Sequence, residues 1–250
     1  MKKITVNLSF YNQNEVLKRH VELWKSYPQH LKDLFKFCII DDCSKTPAIE
    51  VLRETDLSDI DLAIYRIEED LYCNISGGRN LAAQQCTTEW MILLDMDTMI
   101  PEDMALIIPT LTHSKEKEIF KFNRRVTENH SHPKHHQPHP AVCLLRKRDY
   151  WDIGGNEEDF VGHYGYTDPS FWHRATPDYK INTLLDVYLD YVPEGESDIE
   201  RDISHNMSLF NHKKATNNWS KDFIRFNWKR EPQKGISVKN THKNHPPLNK

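Results

Sequence analysis

Two aspartates two residues apart, Asp95 and Asp97, follow the apolar run Trp90 to Leu94 in WMILLDMDTMI. Residues at i and i+2 of an extended chain point the same way, so the two carboxylates would crowd and repel. A divalent cation relieves that repulsion. Mg2+ or Mn2+ takes one or two carboxylates and completes its shell with phosphate oxygens and water. A diphosphate held by such a cation becomes a good leaving group. The plain alternative is a strand end capped by acids. A second pair, Asp41 and Asp42, ends FCIIDDCS. It can accept hydrogen bonds from ribose hydroxyls or a base N–H, or simply begin a turn. In ISGGRN, two glycines allow close backbone approach to a ligand or tight helix packing, and Arg79 can face a phosphate. GGNEEDFVGHYGYTDPSFW sets four glycines among several acids. There Asp168 either caps a helix entered at Pro169 or stands as a general base at the mouth of a site.

The elements around these residues alternate. Ile4 to Phe10, Phe35 to Asp41, Leu62 to Ile67 and Trp90 to Leu94 read as strands. Between them lie helical patterns: one after an Asn12/Glu15 capping box with Leu17, Val21 and Trp24 on one face, one opening at Thr46-Pro47, and one over Gly77 to Thr87. Pro101 opens another. This rhythm predicts an α/β fold with a mostly parallel sheet covered on both faces. Such sheets bind ligands beyond the carboxyl ends of their strands, where both acid pairs fall.

The second half is less regular. Ala141 to Leu145 and Leu184 to Val192 read as strands, and Tyr150 to Gly154 as a helix end with a glycine cap. HSHPKHHQPHP, from His130 to Pro140, reads as a loop. Its histidines could bind a transition metal, but the prolines spoil helical ligand spacing. Trp219 to Arg230 reads as a basic amphipathic helix with Trp219, Phe223 and Phe226 on one stripe. That stripe would pack on the core or lie on an anionic membrane. The tail from Glu231 reads as poorly ordered.

The chain has 250 residues, 38% hydrophobic and 28% charged, as expected of a soluble globular protein. No stretch approaches the ~18 apolar residues of a membrane span. MKKITVNLSFYNQ carries too short an apolar run for a signal peptide. Five cysteines with no CxxC pair favour free thiols in a reducing, cytoplasmic setting. Net charge is −4, yet residues 211–250 carry ten Lys/Arg and two Asp/Glu, a net +8, so the remainder carries −12. An acidic body argues against nucleic acid as a partner.

In order, the sequence gives a strand ending SFYN, a strand ending DDCS, GGRN at a helix, LLDMDT, then GGNEEDFVGHYGYTD. That series resembles the inverting family 2 glycosyltransferases of GT-A fold, over residues 3 to 175. Its last segment is similar to the motif such enzymes share with galactosyltransferase-like proteins. The resemblance implies a GT-A (Rossmann-like nucleotide-binding) catalytic domain over residues 1–210, with a nucleotide-binding half (1–100), an irregular acceptor-binding half (101–210), and a basic C-terminal helix and tail (211–250). It implies that Ser9, Tyr11, Asp41, Asp42, Arg79 and Asp95 contact the nucleotide of a donor such as a UDP-sugar. It implies that Asp95 and Asp97 form a DxD motif holding Mn2+ or Mg2+, with a late histidine, His205, as a further ligand. Asp168 would deprotonate the acceptor hydroxyl of a glycan, glycolipid or glycoprotein. Two departures concern the acceptor side. The usual Glu-Asp pair reads Thr167-Asp168, leaving Glu157, Glu158 or Asp159 as the substitute acid. The usual glycine-flanked Trp is replaced by His163-Tyr164, leaving Tyr164 or Tyr166 to stack on a sugar face.

Three other functions compete. A haloacid-dehalogenase-like phosphatase also ends an apolar strand in an acid pair, but Thr98 comes one place early and the second pair precedes the first. A nucleotidyltransferase would carry a Gly-rich loop after Ile4 to Phe10. A non-catalytic sugar-binding module would not need Asp95, Asp97 and Asp168 together.

Overall fold

The computed structural model describes residues 3–114, 117–126, 137–193 and 199–232. Its first half runs β1 (Ile4–Phe10), α1 (Asn14–Ser26), α2 (Gln29–Lys32), β2 (Phe35–Asp42), α3 (Ala48–Val51), β3 (Leu62–Ile67), α4 (Ile75–Gln85), β4 (Trp90–Leu94), β5 (Thr98–Met99) and α5 (Glu102–Ile107). Its second half runs β6 (Glu118–Val126), β7 (Cys143–Arg146), α6 (Lys147–Asp152), α7 (Thr167–Ala175), β8 (Lys180–Tyr191), α8 (Ser204–Thr216) and β9 (Trp228–Arg230). Among the described residues the strands form one sheet in the order β5-β8-β6-β7-β4-β1-β2-β3-β9.

The run β4-β1-β2-β3 is parallel throughout. Its strands are apolar on both faces because helices cover both, as parallel sheets require. On one face, Leu17, Val21 and Trp24 of α1 are fully buried, and the Trp24 ring stacks on Phe37 of β2 with centroids 4.4 Å apart. On the other face, Leu81 and Ala82 of α4 pack with Cys38 and Ile40. Beyond β4 the sheet is mixed: β7 runs antiparallel to β4, and β6 pairs parallel with β8. The chain winds from β1 through β2 to β3, then crosses back over α4 to place β4 on the other side of β1. That reversal is a topological switch point, where a crevice opens outside the strand ends. The carboxyl ends of β1, β2 and β4 all face it.

Several local expectations are corrected. Asn12 does not cap α1. Its φ is +54°, its Oδ1 accepts from Lys45 N at 2.8 Å and its N donates to Ser44 Oγ at 3.1 Å, so it ties the loop after β1 to the loop after β2. Helix α4 begins two residues before Gly77, with Asn74 Oδ1 accepting from Gly77 N at 3.0 Å. Gly77 is required there, since a Cβ would collide with Phe226 and the Asn74 side chain. Helix α7 begins at Thr167 after a left-handed Tyr166, so Asp168 sits inside its first turn.

The predicted helix over Trp219 to Arg230 does not form. Residues 217–227 make a strap, and Trp228–Arg230 adds an antiparallel strand beside β3. Buried carboxylates take the amides that a helix would use internally. Ser220 N donates to Glu157 at 2.9 Å, and Ile224 N and Arg225 N donate to Glu158 at 2.7 and 3.2 Å. The three aromatic rings separate: Trp219 lies near Phe210 of α8, Phe223 against Trp151, and Phe226 in the cluster beneath α4. Residues 127–136, with most of the histidine-rich run, and the tail 233–250 lie outside the described residues.

Candidate active site

A pocket of about 300 Å3 occupies the crevice. The ends of β1, β2 and β4 supply Ser9, Tyr11, Asp42, Asp95 and Asp97, and the opposite wall supplies Tyr164, Tyr166 and Asp168. Arg79 lies at its floor. The side chain is 5% exposed and bridges two acids. One guanidinium nitrogen donates to Asp168 at 2.7 Å, and the other to both oxygens of Asp95 at 2.7 and 3.0 Å. A buried guanidinium keeps its charge when its carboxylate partners surround it. Burial alone would raise the Asp95 carboxyl pKa, but the Arg79 guanidinium beside it holds the group below the usual carboxylate range.

The turn carrying the two aspartates is fixed by main-chain contacts. His20 of α1 is fully buried, and its Nε2 lies 3.0 Å from the Met96 carbonyl. Burial lowers its pKa to about 4, so the ring is neutral at pH 7 and Nε2 carries the donated hydrogen. Thr98 N donates to Asp95 O at 3.1 Å, and Val192 N to Asp97 O at 2.8 Å. The Tyr27 hydroxyl donates to the Ile100 carbonyl. Carboxylates on a turn held this way need little reorganisation to meet a ligand.

Asp97 is 15% exposed. Its Oδ1 is buried with no hydrogen bond of ordinary geometry, and His139 Nε2 lies 3.2 Å from it. Arg124 Nη1 stands 3.6 Å from the other oxygen. A carboxylate oxygen left in that condition fits a cation. Among the described residues no three His, Cys, Asp or Glu side chains converge as a closed metal cage. Two carboxylates on one turn, Asp95 and Asp97, are a donor set that could share a divalent cation with phosphate and water.

The two acids at the end of β2 part company, because neighbouring strand residues point to opposite faces. Asp42 lines the pocket, accepts from Asn74 N at 3.1 Å, and burial pushes its pKa up to about 7. Asp41 does not line it. That carboxylate is fully buried and accepts from Ser44 N, Ala48 N and Arg66, so its oxygens are engaged in shaping the loop.

Two other expected contacts also lie elsewhere. Glu158 is buried behind α4, accepting from Asn80 at 2.7 Å and from the C-terminal strap. His205 is exposed on α8 and stacks on His163 with ring centroids 3.7 Å apart, outside the pocket lining. On the acceptor side, Tyr164 lies beneath the Arg201 guanidinium, 5.8 Å from ring centroid to Arg201 Cζ. Nothing in the sequence pattern marks His20 or Arg201. Asn74 carried a readable signal, an Asn three residues before Gly77 at a helix start. His139 was one of many histidines in a biased run.

The family model described as Glycosyl transferase family 2 matches residues 5–176. No curated protein matches the sequence significantly. Among solved structures, TarS of S. aureus (residues 1–349) is 15% identical with a TM-score of 0.60, over 76% of this chain and 60% of that one. The mannosyltransferase PcManGT from Pyrobaculum calidifontis, in complex with GDP-Man and Mn2+, is 15% identical with a TM-score of 0.58, over 88% and 65%. GalNAc-T7 with UDP, GalNAc and Mn2+ is 11% identical with a TM-score of 0.61, over 78% and 45%. The chain thus spans less than two thirds of each of these structures. At such identities the likeness is one of fold, the GT-A architecture. No helix among the described residues is long and apolar enough to cross a membrane.

Proposed function

Since the chain belongs to glycosyl transferase family 2, we propose that it transfers a sugar from a nucleoside diphosphate donor to an acceptor hydroxyl, with inversion at the anomeric carbon. The observation that carries this reading is the gathering of Asp95, Asp97 and Asp168 in one pocket at the switch point, with Arg79 bridging Asp95 and Asp168. A binding module has no need of three carboxylates in one pocket, two of them bridged by a buried guanidinium. A haloacid-dehalogenase-like phosphatase would need its second acid pair in the same site, whereas Asp41 is buried away from it.

In this reading the donor is UDP-linked, as in the UDP complexes of TarS and GalNAc-T7. The nucleoside lies along Ser9, Tyr11 and Asp42. A carboxyl titrating near pH 7 can accept from a base N–H once ionised. Arg79 and Asp95 face the ribose-diphosphate, and Asp97 with Asp95 holds Mn2+ or Mg2+. When bound, that cation supplies charge neutralisation for the departing diphosphate.

Asp168 takes the proton of the acceptor hydroxyl as its oxygen attacks the anomeric carbon and the bond to diphosphate breaks. Arg79 donates to Asp168 at 2.7 Å and holds the carboxylate aimed until the acceptor arrives. Tyr164 and Tyr166 give the acceptor sugar a flat apolar face. A glycan, glycolipid or glycoprotein would present the same hydroxyl chemistry.

A single displacement fixes the stereochemistry of the product. Incubating the protein with UDP-α-sugars, Mn2+ and a panel of sugar acceptors should give β-linked product, read from the anomeric coupling constant by proton NMR. An α-linked product would overturn Asp168 as base in a one-step transfer.

A further inference from the structure

The antiparallel register of β7 on β4 pairs Leu93 with Cys143. The residues ahead of β7 therefore emerge at the carboxyl end of β4, where His139 meets the aspartate pair. Its side chain is 10% exposed. Nδ1 accepts from two backbone amides, Ala141 N at 3.1 Å and Val142 N at 3.2 Å. A nitrogen facing two N–H groups has no hydrogen of its own, so in the neutral ring the hydrogen is on Nε2. Nε2 lies 3.2 Å from Asp97 Oδ1 and 3.8 Å from Asp95 Oδ2, so its N–H stands within reach of both carboxylates.

We propose that His139 is a positioning residue of the aspartate pair, an N–H donor locked in one tautomer that sets Asp95 and Asp97 for a divalent cation and is not itself a ligand. This rests on the metal-dependent reading above. To ligate, Nε2 would have to give up its hydrogen. Nδ1 would then carry it against two amide donors, each left buried without an acceptor. Leaving two buried amides unpaired makes ligation the poorer use of the ring. Arg124 backs the arrangement: its Nε donates to Gln137 O at 2.9 Å while its Nη1 faces Asp97, tying the histidine-bearing segment to the same carboxylate. Hydrogen bonds from outside the coordination shell orient ligating carboxylates, and losing one lowers metal affinity by about 10–100-fold. Removing the N–H also leaves more uncompensated negative charge for the cation. That gain is the smaller effect, because Arg79 and Arg124 still face the pair.

The test uses the full chain with UDP, with Mn2+ as the probe. Free Mn2+ is titrated by its EPR signal, and pulsed EPR reads nitrogen coupling to the bound ion. His139→Asn keeps an acceptor near the Nδ1 position for the two amides and removes the donor; it should weaken Mn2+ binding about 10-fold. His139→Gln puts an amide donor near the Nε2 position and should stay within about 3-fold of wild type. The wild-type Mn2+ signal should show no imidazole nitrogen coupling. Unchanged Mn2+ affinity in His139→Asn, equal losses in both variants, or an imidazole coupling that His139→Asn abolishes would each overturn the proposal. If the wild-type protein with UDP binds no Mn2+ at all, the metal-dependent reading itself fails and takes this role with it.

Discussion

Asp168→Asn should slow sugar transfer by about 10²–10⁴-fold, the usual worth of a positioned general base, and leave nucleotide binding within about twofold. The separation is expected from the geometry. Asparagine has the shape of aspartate and still offers an oxygen to Arg79, and Arg79 keeps both bonds to Asp95. The donor side of the pocket is therefore undisturbed, while the group that would take the hydroxyl proton is gone. UDP release at saturating donor and acceptor reads the rate, and calorimetric titration with UDP reads binding. Full transfer by the variant would remove Asp168 from catalysis and leave it as a partner for Arg79. Loss of UDP binding together with rate would mean that the Arg79–Asp168 pair serves the donor, not the acceptor.

The second large effect concerns the cation. Asp97→Ala should weaken Mn2+-dependent UDP binding by about 100-fold, some 2.7 kcal/mol. Metal-free UDP binding should hold or improve. The sign differs because Asp97 plays opposite parts in the two experiments. Without a cation it is one more negative charge beside a diphosphate, and removing it relieves repulsion. With a cation it would be one of the two carboxylates holding the ion, and removing it would halve that donor set. Titrations with and without Mn2+ separate the two. Equal affinity of variant and wild type in Mn2+ would remove Asp97 from the metal site.

Much of the first half was legible in the sequence, for a physical reason. Parallel strands buried on both faces read as short apolar runs, and Phe35 to Asp41 and Trp90 to Leu94 could hardly be anything else. The acids that end them must then lie at the sheet's carboxyl edge. What a run of two acids does not reveal is which one looks outward. Asp41 and Asp42 point to opposite sides of β2, and the choice was made by Arg66 on the neighbouring β3, whose guanidinium lies 2.6 Å from Asp41.

The C-terminal stripe failed differently. Trp219, Phe223 and Phe226 have helical spacing, but each ring enters a separate cluster and the backbone amides bind Glu157 and Glu158. Those carboxylates lie some sixty residues earlier, beyond the reach of any local pattern. Glu158 was read as an acceptor contact for the same reason: an acid in a glycine-rich stretch looks available until the strap that covers it is known. His139 became distinguishable from its neighbours only through the antiparallel pairing of β7 on β4.

The central claim is that the crevice at the ends of β1, β2 and β4 binds a nucleoside diphosphate through a cation. The most direct test is thermal unfolding of the protein across a panel of nucleotides and nucleotide sugars, each with and without Mn2+. A ligand that binds only the folded chain raises the unfolding temperature by mass action, by about 2.7 kcal/mol at one hundred times its Kd. The account predicts that UDP and at least one UDP-sugar stabilise the protein in Mn2+, and that the shift collapses when Mn2+ is withheld. Indifference to every nucleotide in both conditions would contradict it.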